Sequence, residues 1–311
     1  MKPQTIAVFG GTGFVGRHLV PRLARDGHRL TLASRNRERH RELGVLPGVR
    51  VVSADVYDDR ALAACVAGAD CAINLIGILN ERGSDGRGFR KAHVEFTERL
   101  IAACTAAGVP RLVQMSALRA GEGESFYLRT RGEAEARVKA SPLAWTIFRP
   151  SVIFGPGDGL FFRFAQLLRL TPVLPLARAE ARFAPVYVGD VAEAFARAVA
   201  HPHSAGRVYE LAGPRTIALG ELVRWTARMA GLRRWVVPLP DALGFVQACV
   251  GEWLPGKPIS RDNFRSLRLD SVAQEDGLAA LGIVATPMEA VMPALLGGDG
   301  RQRRLDRLRS G

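Results

Sequence analysis

Short apolar runs recur along the chain, separated by stretches with helical spacing. TIAVF begins at Thr5, RLTLA at Arg29, RVVSAD at Arg50, CAINLIG at Cys71, RLVQMSA at Arg111 and AWTIFRP at Ala144. Each reads as a strand. The clearest helical stretch between them is AHVEFTERLIAACTAAG, from Ala92 to Gly108, and behind the first strand Val15, Leu19 and Leu23 give another helix one apolar face. Strands alternating with helices pair in parallel through right-handed crossovers, so the predicted fold class is α/β, a doubly wound parallel sheet. RVYELAG, from Arg207, reads as one more strand returning to that sheet. The segment from Gly155 to Asp190 and the proline-rich, helical C-terminal third fall outside the alternation. Together they read as a smaller, mostly helical cap over the strand ends, where such sheets hold ligands. The resulting division is 1–155 plus 186–212 for the sheet domain and 156–185 plus 213–297 for the cap. After Leu296 the apolar period is lost, and 298–311 reads as a flexible basic tail.

The first strand runs into GGTGFVG, with Gly10, Gly13 and Gly16 at G-x-x-G-x-x-G spacing, and then into the first helix. A turn without β-carbons lets the backbone approach a pyrophosphate, and the helix N-terminus offers unpaired N–H groups and the positive end of its dipole. Strand, glycine turn and helix in that order point to a bound dinucleotide.

The bulk numbers narrow the setting. No apolar run reaches the roughly 18 to 20 residues that a membrane span needs, and the first strand lacks the form of a secretory signal, so an intracellular location is expected. Cys65, Cys71, Cys104 and Cys249 lie far apart, and no histidines stand at zinc-ligand spacing. They read as small buried hydrophobes, with no metal site. The formal net charge of +13, almost all from arginine, favours acidic partners such as nucleotide phosphates or anionic lipid. Two clusters stand out, RNRERHR from Arg35 and RQRRLDRLR from Arg301. Charge alone also suits nucleic acid, but no reader motif accompanies it.

The end of the second strand meets the adenosine ribose, and an NAD site would place an acid there. This chain has Ala33, Ser34 and Arg35, with no carboxylate before Glu38. A guanidinium at Arg35 can fork onto a 2′-phosphate while Ser34 donates a further hydrogen bond and Arg37 adds field, so NADP(H) is expected first and NAD(H) second. Asp55, closing the third strand, is placed to meet the adenine edge, and Gly77 lets the loop of the fourth strand pass close to the cofactor.

The segments GGTGFVG, NLIGIL, VQMSAL, YLRTRGEAEARV, FRPSVIFGPGD, PVYVGDVAEA and GIVATPMEAV occur in the order seen in atypical short-chain dehydrogenases/reductases. The chain most resembles the group containing the NADPH-binding accessory subunit of mitochondrial respiratory complex I and its bacterial relatives, from about Ile6 to Met292. The resemblance implies a Rossmann-like domain, bound NADP(H), and a role near quinone metabolism or complex I assembly. It adds Thr12, Phe14, Val15, Val56, Leu75 and Ile76 to the cofactor contacts. It also runs Pro150, Ser151 and Val152 beside the nicotinamide.

Members of the wider family use Ser, Tyr and Lys, the last two at Y-x-x-x-K, so that the cation stabilises tyrosinate and holds the nicotinamide ribose. The matching positions are Ser116, Tyr127 and Arg131. Arginine can hydrogen-bond a ribose and lower the tyrosine pKa but cannot relay a proton, which puts turnover in question and leaves binding intact. His93, on a helix with an apolar face, reads as packed, and His201 and His203 as loop residues. Two readings stay open: an NADP(H)-dependent oxidoreductase acting on a quinone or quinone precursor, or a non-catalytic dinucleotide-binding assembly or redox-sensing module. Expected partners are a respiratory or quinone-biosynthesis complex and an anionic membrane. The expected location is cytoplasmic, peripheral at the inner face of the cytoplasmic membrane. The stretch from Leu239 to Phe264 sets Leu243, Phe245, Val246, Val250, Trp253 and Leu254 among small residues. Its apolar face suits either an interfacial surface or packing within the cap.

Overall fold

The computed structural model describes residues 2–254 and 257–297. The chain begins with β1 (Thr5–Phe9), α1 (Phe14–Arg25), β2 (Arg29–Ser34), α2 (Arg41–Gly44), β3 (Val49–Ser53), α3 (Asp59–Val66) and β4 (Cys71–Asn74). Then come α4 (Arg87–Arg90), a π-helical turn over Lys91–Glu95, α5 (Phe96–Ala106), β5 (Arg111–Met115), α6 (Phe126–Lys139) and β6 (Ala144–Pro150). They are followed by β7 (Ile153–Phe154), α7 (Phe161–Leu170), β8 (Val173–Ala177), β9 (Arg182–Phe183), β10 (Val186–Tyr187), α8 (Val188–Ala200) and β11 (Arg207–Leu211). The last elements are β12 (Ile217–Ala218), α9 (Leu219–Met229), β13 (Trp235–Leu239), α10 (Asp241–Gly251), α11 (Arg261–Ser266), α12 (Gly277–Ala280) and α13 (Met288–Leu296).

Seven strands form one parallel sheet in the order β11-β6-β5-β4-β1-β2-β3. The order reverses between β1 and β4, and in open sheets of this kind the crevice for a ligand lies at that reversal, beyond the carboxyl ends of the strands. Both faces are covered, which is why the strands read as continuous apolar runs. On one face Val8, Leu32 and the α1 residue Val20 converge around Gly11. On the other, Ala7, Phe9, Leu112 and Ile147 pack with Leu62 of α3, Phe96 and Leu100 of α5 and Val138 of α6. RVYEL joins the sheet as expected, Arg207 opposite Thr146 and Leu211 opposite Pro150.

The chain divides into two compact units. Of the described residues, the first holds those up to Pro150, Val188–Leu211 and Gln274–Val284; the second holds those of Ser151–Tyr187, Ala212–Ala273 and 285–297. Apart from shifts of one or two residues at 186–187 and 212, this differs from the sequence-based division in two places. Residues 274–284 sit with the first unit because α12 lies against β11: the Gln274 N–H donates to Glu210 Oε2 at 2.6 Å, and a Cβ on Gly277 would come within 2.4 Å of the Glu210 carbonyl oxygen. Residues 151–155 sit with the second unit, where the Val186 N–H donates to the Val152 carbonyl and β7 pairs with β10.

The second unit is helical with three pairs of short strands, β7 with β10, β9 with β12 and β8 with β13. Its core gathers Phe154, Phe161, Leu222, Trp225 and Met292. Among the described residues no helix is long and apolar enough to cross a membrane. The expected tail at 298–311, with its arginine cluster, lies outside the described residues.

Candidate functional site

The glycine turn sits at the reversal point of the sheet. Gly10 has φ +79°, and a Cβ there would lie 3.0 Å from the Leu75 carbonyl carbon and 3.1 Å from the Ile76 nitrogen, so the loops after β1 and β4 run almost in contact. Only glycine combines that backbone conformation with that approach. The Gly13 N–H donates back to the Gly10 carbonyl at 3.0 Å, and Gly13 then caps α1 without any side-chain hydrogen bond. The leading N–H groups of α1 therefore look outward for an acceptor. Gly16 faces inward: a Cβ there would meet the Gly11 carbonyl oxygen at 2.3 Å, so this third glycine seats the helix on the turn. The apolar face of α1 consequently runs through Gly16, Leu19, Val20 and Leu23, with Val15 only half-buried.

At the end of β2, Ser34 is buried and its Oγ accepts from the Asn36 N–H at 3.3 Å, while Arg35 is exposed. The first carboxylate beyond them, Glu38, is bound by Arg37 and Arg41, which together hold it below the usual carboxylate range. Arg37, expected to add field near the ribose, is thus engaged with Glu38. Strand β3 stops at Ser53, so Asp55 does not close it; the residue lies exposed in the next turn, where its carboxylate accepts from the Tyr57 N–H. Val56, next to it, packs against the apolar cluster under α3 and α5.

The Ser-Tyr-Arg set is arranged unequally. Tyr127 follows Phe126 at the start of α6, whose first turn is capped by Ser125 accepting from the Leu128 N–H. The tyrosine ring lies edge-on to Phe89 and His93, with the Arg131 guanidinium carbon 5.6 Å from its centroid. Arg131 is buried; its Nη1 donates to the Met115 carbonyl at 2.9 Å and reaches the Ile76 carbonyl at 3.5 Å. Gly77 makes room for it, since a Cβ there would fall 1.9 Å from Nη2. Arg131 thus links the loop after β4 to the end of β5. Ser116 follows β5 directly, but its hydroxyl donates to Glu135 at 2.6 Å rather than being held toward a substrate. Pro150 ends β6, whereas Ser151 and Val152 lie in the second unit. There the Ser151 hydroxyl donates to the Ser271 carbonyl and accepts from the Ala184 N–H.

A family model described as NAD(P)H-binding matches residues 10–159. The mitochondrial NADH dehydrogenase (ubiquinone) 1 alpha subcomplex subunit 9 of Arabidopsis thaliana is 31% identical over 290 residues, covering 87% of this chain and 71% of that protein. The chain belongs to the atypical short-chain dehydrogenase/reductase family that contains these complex I subunits. This short-chain dehydrogenase/reductase relative is also similar to the ceramide reductase of Caulobacter vibrioides, 32% identical over 242 residues, covering 76% of this chain and 74% of that one. The solved structure of MoeE5 in complex with UDP-glucose and NAD superposes with a TM-score of 0.74 at 20% identity, covering 97% of this chain and 99% of that one, a likeness in fold. Membership makes the chain an NAD(P)-binding, oxidoreductase-like protein.

The residues of this family member fit a dinucleotide on their own terms. The turn at Gly10 leaves no space for a side chain, the α1 N-terminus has no side-chain cap, and the Arg131 Nε is a buried donor with no partner among the described residues. Three residues that sequence reasoning did not assign to the site complete it. Glu135, buried on α6, accepts from Ser116 and receives the Arg149 guanidinium through both oxygens at 2.8 and 2.6 Å. Phe89 and His93 wall the tyrosine ring. Burial, with the Arg131 charge adding to it, pushes the His93 pKa down to about 2, so the ring is neutral. Its Nε2 accepts from the Ile78 N–H, which leaves the proton on Nδ1 to donate to Thr130 Oγ1 at 2.8 Å. The spacing of Glu135 eight residues after Tyr127 on one helix was the available signal.

Proposed function

We propose that the chain is an NADP(H)-dependent oxidoreductase acting on a lipid-soluble carbonyl compound, a quinone or quinone precursor, beside a respiratory or quinone-biosynthesis complex on the cytoplasmic face of the membrane. The observation that carries the cofactor choice is the end of β2, where Arg35 is exposed and the nearest acid is bound by Arg37 and Arg41. A 2′-phosphate would find a forked donor there and no opposing carboxylate. NADP(H), when bound, supplies the hydride. In this reading the turn from Gly10 to Gly16, with Thr12, Phe14 and Val15, holds the pyrophosphate against the α1 N-terminus. Asp55 and Val56 border the adenine, and Leu75, Ile76 and Gly77 line the opposite wall. Tyr127 gives or takes the proton, with the Arg131 guanidinium against its ring. Ser116, already a donor to Glu135, can offer only its lone pairs to a substrate. The complex I subunits and the ceramide reductase among the relatives support a substrate or partner at a membrane.

One observation favours the second reading, a dinucleotide held as a structural or sensory ligand. Arg131 is committed to two backbone carbonyls and Ser116 to Glu135, so neither is poised for turnover as the Lys and Ser of active relatives would be. The test is to purify the protein, identify the retained dinucleotide by mass spectrometry, and follow its absorbance as quinones and carbonyl compounds are added. Oxidation of bound NADPH by a quinone supports the enzyme. Retained NADPH that no acceptor oxidises supports the second reading, and a protein that binds neither NADP(H) nor NAD(H) in calorimetry refutes both.

A further inference from the structure

Helix α10 in the second unit is built inside out. From Ala242 to Gly251 it contains no charged residue, yet most of its large side chains point away from the protein, while Phe245 lies edge-on against the buried Phe264. The residues facing inward are small: Gly244 backs onto Ala177 and Phe264, and Gly251 onto Ile259, at distances that leave no room for a larger side chain. Gln247 clips the helix to β8, accepting from the Ala177 N–H at 3.1 Å and donating to the Pro175 carbonyl at 2.7 Å. Outward stand Leu243, Val246 and Val250, each more than half exposed, and in the following turn Leu254 and Trp253, the latter 90% exposed. The pattern continues on the neighbouring strands, where Trp235 and Val237 of β13 and Val173 of β8, paired with Trp235, are exposed. An apolar face of this extent on a protein surface marks a place of contact.

Its electrostatic setting points to the partner. The two acids that flank the helix are each bound by an arginine, Asp241 by Arg178 at 2.9 Å and Glu252 by Arg261 at 2.9 Å. Arg233 and Arg234 lead directly into the exposed Trp235, Arg163 is exposed on α7, and the whole chain carries +13. We propose that α10 and the outer face of β13 form a docking surface for an anionic lipid bilayer. The aliphatic residues would enter the acyl boundary, Trp253 and Trp235 would lie at headgroup depth, and the arginines would meet the lipid phosphates. This inference does not depend on the cofactor or on turnover.

Flotation of the full chain with phosphatidylcholine vesicles, with and without phosphatidylglycerol, tests it. Binding should require the anionic lipid and weaken in high salt. Val246→Asp with Val250→Asp should lower partitioning at least about tenfold, and Arg233→Gln by about fivefold. Both positions of the aspartate pair are exposed, so unchanged thermal melts should accompany the loss. Tryptophan emission should shift to the blue with vesicles, a change reduced in Trp253→Phe and lost when Trp235→Phe is added. Failure of the unmodified protein to float with anionic vesicles at low salt overturns the proposal, as does undiminished binding by the aspartate pair. Self-association that the aspartate pair disperses, without vesicle binding, would instead make this face a contact between copies and overturn it too.

Discussion

Gly77→Ala should unseat Arg131, and the structure gives the size of the effect. The added Cβ would lie 1.9 Å from Nη2 and 2.9 Å from Cζ of a buried guanidinium, well inside the ~3.5 Å of an ordinary contact. Gly77 is not in the left-handed region, so alanine brings no backbone strain of its own. What Arg131 loses is the 2.9 Å bond to the Met115 carbonyl and the long 3.5 Å contact with the Ile76 carbonyl. A hydrogen bond to a charged group contributes about 1.5–3 kcal/mol, and the long one less, so the variant should lose about 2–3 kcal/mol. That corresponds to a fall of roughly 4–12 °C in the melting midpoint of a domain this size. The decisive comparison is the same change in an Arg131→Ala background. With no guanidinium to displace, the methyl should cost less than about 0.5 kcal/mol, giving a coupling of about 2 kcal/mol across the cycle. Urea unfolding followed by circular dichroism measures all four proteins. Equal costs with and without Arg131 would show that the two residues do not touch, and the account of how Arg131 bridges β4 and β5 would fall.

The other expectations can be checked with standard variants. Arg35→Asp should reverse or abolish a preference for NADP(H) over NAD(H) in calorimetry; equal affinities in the unmodified protein would disprove the role given to Arg35. Tyr127→Phe should leave cofactor affinity within a few-fold and remove turnover, and full activity in that variant would dispose of the assigned proton transfer. His93 is held neutral in the fold with a pKa of about 2, against 6.5 for the free ring. Below the unfolded pKa the unfolded chain takes a proton that the native state refuses. Stability is therefore intact above pH ~6.5 and falls by about 1.4 kcal/mol for each unit below it. His28, lowered in the same direction by burial, adds to the trend. His93→Gln should flatten the dependence of the urea midpoint on pH between about 6.5 and 5, and an unchanged slope would contradict the buried neutral ring.

The sheet was readable because a doubly covered parallel strand needs a mainly apolar run, and TIAVF, CAIN and RLVQM each centre on one. The glycine turn was readable for a similar reason: the positive φ of Gly10 and the contact of Gly16 with the backbone of Gly11 are local geometry that the spacing already encodes. The parts that escaped depend on long-range partners. GEAEARV looks like a solvated helix face, and only Arg149, arriving on β6, turns Glu135 into a buried acceptor that captures the Ser116 hydroxyl. Asp55 reads as closing β3 because RVVSAD runs on without a break past Ser53, the last paired residue of the strand. The return of 274–284 to the sheet rests on Gly277 meeting the backbone of Glu210, a contact with no local pattern to announce it. In the second unit, strands of two residues and strands carrying prolines leave too little periodicity to read.

The position of β11 in the sheet bears on how the protein is made. A ribosome that has released the chain as far as Pro150 has delivered six of the seven sheet strands, yet the ladder of β6 that receives Arg207–Leu211 still lacks its partner. That edge stays open while the whole of β7 to α8 is synthesised, and α12 reaches β11 later still. An unpaired parallel edge is a template for pairing with another chain. Between translation of Pro150 and of Leu211 the nascent protein therefore presents the β6 edge to any chain able to pair with it. A truncated product ending at Pro150 would keep that exposure permanently, even though its glycine turn is complete.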